Sequence, residues 1–259
     1  MTPQQKHYKF MCNLHETVLH LAKSLHFDKK HPWHLHLVSL YGTMLELLGS
    51  ACILIREGVP IAVPILLRSA LEAKLDFTNL AKERRYGYHM RAAELHEWIK
   101  ILREAKKKQN PFLSDIAQIP NLDEVIVQWE TELSELKKKQ FSPLNQKQKF
   151  EKAELEPVCQ SVYNFLCCHS HNNIRALVSR HIDIAADQRD FQVEYYAPVN
   201  LDTLLPYIDS FCGIIMSSTE TIHRILQSDA TYQVDALKKE LDEKRKQILT
   251  EQAAPPDRR

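Results

Sequence analysis

The 259 residues are enough for one large domain or two small ones, with a substantial buried core. Hydrophobic residues at 44% and charged residues at 26% are ordinary for a globular protein, and a net charge of +1 with a pI near 7.7 excludes a global field for nucleic acid or an anionic membrane. Five glycines are too few for a phosphate-cradling glycine-rich loop and predict long helices with few tight turns.

In chain order, Phe10, Leu14, Val18, Leu21 and Leu25 recur at spacings of three and four and predict an amphipathic helix over residues 3–26. After the polar Asp28-Lys29-Lys30 break, a second helix is expected from about Pro32 to Glu57, closed by Gly58. Pro60 and Pro64 fall in the first turns of a third helix running to about Glu83, and a fourth follows to Lys107. Asn110-Pro111 and Ile119-Pro120 bracket a loop before a polar helix over Leu122–Lys139, and residues 140–154 look like a solvated connector. A long helix is expected over Pro157–Ile182. The period then changes to alternation at Ile182/Ile184 and Phe191/Val193/Tyr195, which predicts a small hairpin near 183–196. Helices over Leu201–Gln227 and Tyr232–Glu251 complete the chain. The expected fold is all-α, a bundle of about seven to eight helices in a single domain over 1–252, with a disordered tail at 253–259.

The six cysteines form no CxxC pair, and adjacent Cys167 and Cys168 point about 100° apart on a helix, so reduced thiols in a cytoplasmic protein are expected. The N-terminal MTPQQKHYKF has no signal-peptide apolar run. The stretch Leu45–Leu67 is broken by Arg56, Glu57, Gly58, Pro60 and Pro64, so no membrane span of about 20 clean residues is expected.

The third helix is apolar nearly all round, the pattern of a buried helix. Arg68, Glu72 and Asn79 nevertheless stack on one face, with Asp76 beside them. Arg and Glu are almost never buried unpaired, so each needs a partner. One reading is an i,i+4 ion pair that holds neighbouring helices. The other is a cleft where Arg68 offers a cationic fork to a phosphate or carboxylate, oriented by Glu72. A counterpart is found in Pro157–Ile182, where Gln160, Asn164, Cys167, His171 and Arg175 line the edge of the apolar arc.

Arg68-Ser-Ala-Leu-Glu72, followed about a hundred residues later by Tyr163-x-x-Leu166-Cys167-x-x-x-His171, resembles a bacterial helical family of unknown function with Arg-Ser-x-x-Glu, Tyr-x-x-Leu-Ser and a downstream His. That family looks related to HEPN-type helical domains, many of them metal-independent ribonucleases in toxin–antitoxin or phage-defence systems. The resemblance covers roughly residues 35–225, with Cys167 where the family often has Ser. It implies a homodimer, RNA or a nucleotide-like ligand, an antitoxin or defence partner protein, and no cofactor. Arg68, Glu72 and His171 would be catalytic, and Asn164, Tyr163, Asn172 and Arg175 would bind substrate. His171 (or His181) would move the 2′-hydroxyl proton, while Arg68 or Arg175 would stabilise charge at phosphorus. The HEPN signature, Arg four to six residues before His, occurs as Arg175-x5-His181, Arg84-x4-His89 and Arg91-x4-His96, so it singles out no site. The alternative is a non-catalytic protein- or ligand-binding module.

No metal is expected. His31, His34 and His36 lack accompanying Cys or carboxylate ligands, and Glu220-x-x-His223 is the only di-iron-like half-motif. The lysine runs 106–108 and 137–139 suit solvated helix ends, with an RNA-binding patch as the rival. The C-terminal helix, with Leu237, Leu241 and Ile248 among charges, is suited to packing along a partner.

Overall fold

The computed structural model describes residues 1–171, 173–184, 191–195 and 199–253. The fold is all-α, with one small antiparallel hairpin. In order, the helices are α1 (Pro3–Ala22), α2 (Pro32–Arg56), α3 (Val63–Lys82), α4 (Tyr86–Lys106), α5 (Leu122–Lys138), α6 (Gln146–Ala153), the single turn α7 (Glu156–Val158), α8 (Asn164–Ser170), α9 (Ile174–His181), α10 (Leu201–Ile225) and α11 (Thr231–Ala253). The strands β1 (Ile182–Ile184) and β2 (Phe191–Val193) lie between α9 and α10, pairing Ile182 with Val193 and Ile184 with Phe191. The tail 254–259 and Asn172 lie outside the described residues.

Local chemistry sets the helix ends. Thr2 caps α1 in a reciprocal box with Gln5, and Gly58, at φ +76°, takes the left-handed position that ends α2. The expected connector at 140–154 is instead largely helix. Asn145 and Gln148 form a second capping box that starts α6, and Phe150 anchors α6 in the core. The single helix expected over Pro157–Ile182 is also divided. Cys159–Tyr163 winds as a π-helical turn, α8 ends at Ser170, and Asn173 caps a separate α9 by accepting from the Arg175 N–H.

The main core is built by α1, α2, α3 and α10, with α6, α8 and α11 laid against it. Leu14, Met44, Leu48, Leu75, Phe77 and Phe211 are fully buried there, each worth about 1.5–3 kcal/mol relative to exposure. Tyr41, on α2, bonds Thr219 on α10 at 2.8 Å, so the buried hydroxyls satisfy each other. Helix α2 is long and apolar enough, by length and composition, to cross a membrane, a property the interrupted Leu45–Leu67 window concealed. In this fold its Leu37, Tyr41, Met44 and Leu48 belong to the core.

Helices α4 and α5 form an antiparallel arm with a small core of its own, Ala92, Leu95, Ile99 and Leu133. Arg91 grips Glu132 across it with two parallel 2.8 Å hydrogen bonds. The apolar side of α11 is used within the chain. Val234 and Leu241 are buried, and Arg245 holds Asp209 of α10 at 2.7 and 3.0 Å.

Candidate functional site

Five polar residues of α3 form one stripe, Arg68, Glu72, Asp76, Asn79 and Lys82, spaced at three or four and so stacked along one face. Helices α6 and α8 close over it. At its N-terminal end the Arg68 side chain retains 20% exposure and that of Glu72 26%. Arg68 Nη1 donates to Glu72 Oε2 at 3.3 Å, and Nη2 lies 3.1 Å from Glu72 Oε1 and donates to the Tyr163 hydroxyl at 3.1 Å. Arg68 Nε donates to Cys167 Sγ at 3.4 Å. Tyr163 in turn donates to Glu72 Oε1 at 2.8 Å, and Gln146 Nε2 reaches the same oxygen at 3.1 Å. The hydrogen bond to Cys167, and then the charge of Glu72, hold Arg68 more firmly in its cationic form. Burial, with the bond to Glu72, pushes the Tyr163 hydroxyl well above the usual range.

The stripe continues as a seam. Asp76 accepts from the Tyr86 hydroxyl and from Lys149 Nζ at 2.9 Å; Asn79 Nδ2 donates to the Lys149 carbonyl at 3.0 Å; Lys82 Nζ donates to the Ala153 carbonyl at 2.8 Å. Every side chain of the stripe therefore bonds a group on a neighbouring segment. Such pairing offsets most of the cost of setting a polar face inside a helical core, with Asn79 Oδ1 and Gln146 Oε1 left buried without a partner among the described residues.

The expected site residues divide into two groups. Arg68, Glu72 and Tyr163 come together with Cys167 in one network. Tyr163 is the last residue of the π-helical turn and is buried against Phe150, with ring centroids 5.1 Å apart. His171 follows Cys167 by one turn as the C-terminal cap of α8, but it is exposed and its ring makes no hydrogen bond among the described residues. Asn164 is exposed at the start of α8. Arg175 departs altogether: the break before α9 turns it into a shallow groove with Ile174, Val178 and Ile182. The other signature pairs serve the scaffold, with Arg84 over the Trp33 ring, His89 on the Ser142 carbonyl and Arg91 on Glu132.

A second feature escaped the sequence reading. A cavity of about 670 Å³ lies beyond the N-terminal end of α3, between the α2–α3 joint and helices α8, α9 and α10. Val59, Pro60, Ile61, Pro64 and Leu204 give it an apolar lining, and His169, Arg180, His181, Tyr195 and Tyr207 supply polar groups together with Ser179, Asn200 and Thr203. Arg180 Nη2 donates to His169 Nδ1 at 3.3 Å, which requires the neutral ring. Burial and then the Arg180 charge lower the His169 pKa, and burial raises that of Tyr207. His181 is therefore separated from Arg175, its partner in the linear motif: they line different surfaces. Asn173, whose side chain caps α9, starts the helix that forms one wall of the cavity.

Among the described residues no three His, Cys, Asp or Glu side chains converge as a metal-ligand set. His34 lies edge-on to Trp33, and Glu220 is paired with Lys238 and Arg224. All six cysteines are unpaired, with Cys52 and Cys212 buried.

The fold and its seam define an all-helical domain with a small hairpin beside a cavity. The chain matches the model of a family of unknown function, DUF5677, over residues 34–190, and it belongs to that family. The matched span runs from α2 through α9 and contains Arg68, Glu72, Tyr163, Cys167, His171 and Arg180; α10, the far wall of the cavity, lies outside it. No curated protein and no solved structure matches the chain.

Proposed function

We propose that this chain is a cytoplasmic, non-catalytic, HEPN-like binding module in which Arg68, Glu72 and Tyr163 form a strut that fixes α8 against α3. The observation that carries this reading is saturation. All three guanidinium nitrogens of Arg68 have partners within the protein, and both Glu72 oxygens accept from the protein's own donors. A group that stabilises a transition state needs donors aimed at the position of the developing charge, and these are aimed at α8 instead. On this reading Arg68→Ala lowers stability and leaves ligand binding intact in whatever fraction remains folded. Chemical unfolding, together with binding measured below the unfolding transition, tests it.

A second reading, a metal-independent endoribonuclease acting in a toxin or phage-defence setting, is supported by the convergence of four motif residues, with His171 exposed one turn past Cys167. In it His171 takes the 2′-hydroxyl proton and Arg68 bears on the phosphorus oxygens. Total RNA incubated with the protein in a chelator separates the two. Cleavage abolished in folded Arg68→Ala and His171→Ala supports the ribonuclease, cleavage absent from the wild type supports the binding module, and cleavage unchanged in both variants ends the assignment of a nuclease site to Arg68 and His171. Sedimentation velocity tests the homodimer that the resemblance implies.

A further inference from the structure

The cavity beyond α3 has a defined chemical polarity. Its volume of about 670 Å³ falls within the range of small-molecule sites. Among its described lining residues there is no Asp or Glu, while Arg180, His169 and His181 all face it. No carboxylate pairs with Arg180 among the described residues, whereas Arg68, Arg91, Arg103 and Arg245 each sit within 3.1 Å of an acid. Among the described residues the one side-chain partner of Arg180 is the neutral His169 ring, which occupies one of its guanidinium donors. The same cavity is lined by the apolar Pro60, Ile61, Pro64 and Leu204 and by the Tyr207 ring. Outside the lining, the Phe165 ring stacks near parallel to Tyr207 at 6.5 Å between centroids. A half-buried guanidinium with no carboxylate partner among the described residues, in a cavity with much apolar lining, is an arrangement that recognises a charged head on a flat apolar body.

We propose that this cavity binds an organic anion, a phosphate or carboxylate carried on a flat apolar body, with Arg180 and His169 holding the charged group and the α2–α3 joint and Tyr207 enclosing the body. The proposal deepens the binding-module reading and rests on it, because it gives that module a ligand class. The phosphate and carboxylate share the chemistry of a planar or tripodal acceptor facing the guanidinium fork, and separate probes distinguish them.

The experiment is calorimetric titration of the full chain at low salt with adenosine 5′-monophosphate, with indole-3-acetate and with neutral adenosine. At least one of the two anions is expected to bind, and adenosine to bind at least tenfold more weakly than the nucleotide if the phosphate is preferred. Binding of the preferred anion should fall tenfold or more in Arg180→Met and stay within twofold in Arg175→Met, whose side chain lines the outer groove. The His169 ring resonances of the wild type, assigned by their loss in His169→Gln, should move on addition of that anion. This readout holds even if Arg180→Met fails to fold. Three results overturn the proposal: neither anion binds at millimolar concentration, the preferred anion binds Arg180→Met undiminished, or it binds without moving the His169 resonances. None of these touches the role of Arg68 as a strut, which unfolding measurements test separately.

Discussion

Replacing Tyr163 with Phe removes one oxygen from the centre of the α3 network and leaves the ring that packs against Phe150. That oxygen accepts from Arg68 at 3.1 Å and donates to Glu72 at 2.8 Å, so two hydrogen bonds to charged groups are lost together. Bonds to charged groups contribute about 1.5–3 kcal/mol each. Arg68 and Gln146 both still reach Glu72, and the pair keeps partial access to water, which offsets much of the loss. The net expectation is about 1.5 kcal/mol, or a fall in Tm of about 3–6 °C for a chain of this length. Urea unfolding followed by far-UV circular dichroism measures it, with an unchanged m-value showing that the unfolded state is unaltered. Combined with Glu72→Gln in a double-mutant cycle, the two changes should couple by about 1 kcal/mol, since both act on one bond. A Tyr163→Phe protein within about 0.3 kcal/mol of wild type would refute the reasoning.

Three further outcomes follow from other parts of the fold. His223 is buried in α10, with its pKa lowered by burial, so below about pH 6.5 the unfolded chain binds a proton that the folded chain refuses. Stability should therefore fall as pH drops from about 6.5 toward the folded pKa, and His223→Met should flatten that slope in thermal melts. Burial lowers Lys74 to a pKa of about 8, so its charge opposes folding at neutral pH and the opposition fades as pH rises toward about 10.5. Lys74→Met is expected to raise Tm at pH 7 by about 3 °C or more, with the gain shrinking in alkaline melts. Arg91→Ala breaks the two-pronged bond to Glu132, which lies in the separate α4–α5 core. Faster hydrogen exchange should be confined to residues 86–138, with α1, α2 and α10 unaffected.

The architecture was legible wherever apolar residues repeat with a helical period over many turns. The all-round apolar pattern of α3 predicted its burial, and the charged stripe within it predicted that partners must exist. Partner identity was only partly legible. Tyr163 and Cys167 were recognised from a motif, whereas Gln146 and Lys149 lie on α6, which was taken for a connector. Its lysine- and glutamine-rich composition hides a helix held by Phe150 and Ala153, although Asn145-x-x-Gln148 carries the capping-box signature. The division of Pro157–Ile182 was hidden for a different reason. Leu166, Ile174 and Leu177 keep a roughly helical spacing across it, so the periodicity runs through a break marked only by Asn172-Asn173. That break carries Arg175 away from Arg68 and swings Arg180 and His181 toward α10. The cavity had no local signature, because its walls come from five separate segments that meet only when the bundle closes.

The central claim is that Arg68 serves the fold rather than a reaction, and Arg68→Met measured by unfolding and by RNA cleavage on the same preparation tests it most directly. Removing the guanidinium strands Glu72 beside Tyr163 and Gln146. The expected loss is about 2 kcal/mol, below the 3–5 kcal/mol of a fully buried pair because both side chains remain partly exposed. The account predicts that loss of stability, with any RNA-cleaving activity per folded molecule unchanged. An Arg68→Met protein of wild-type stability that has lost an RNA-cleaving activity present in the wild type would contradict it.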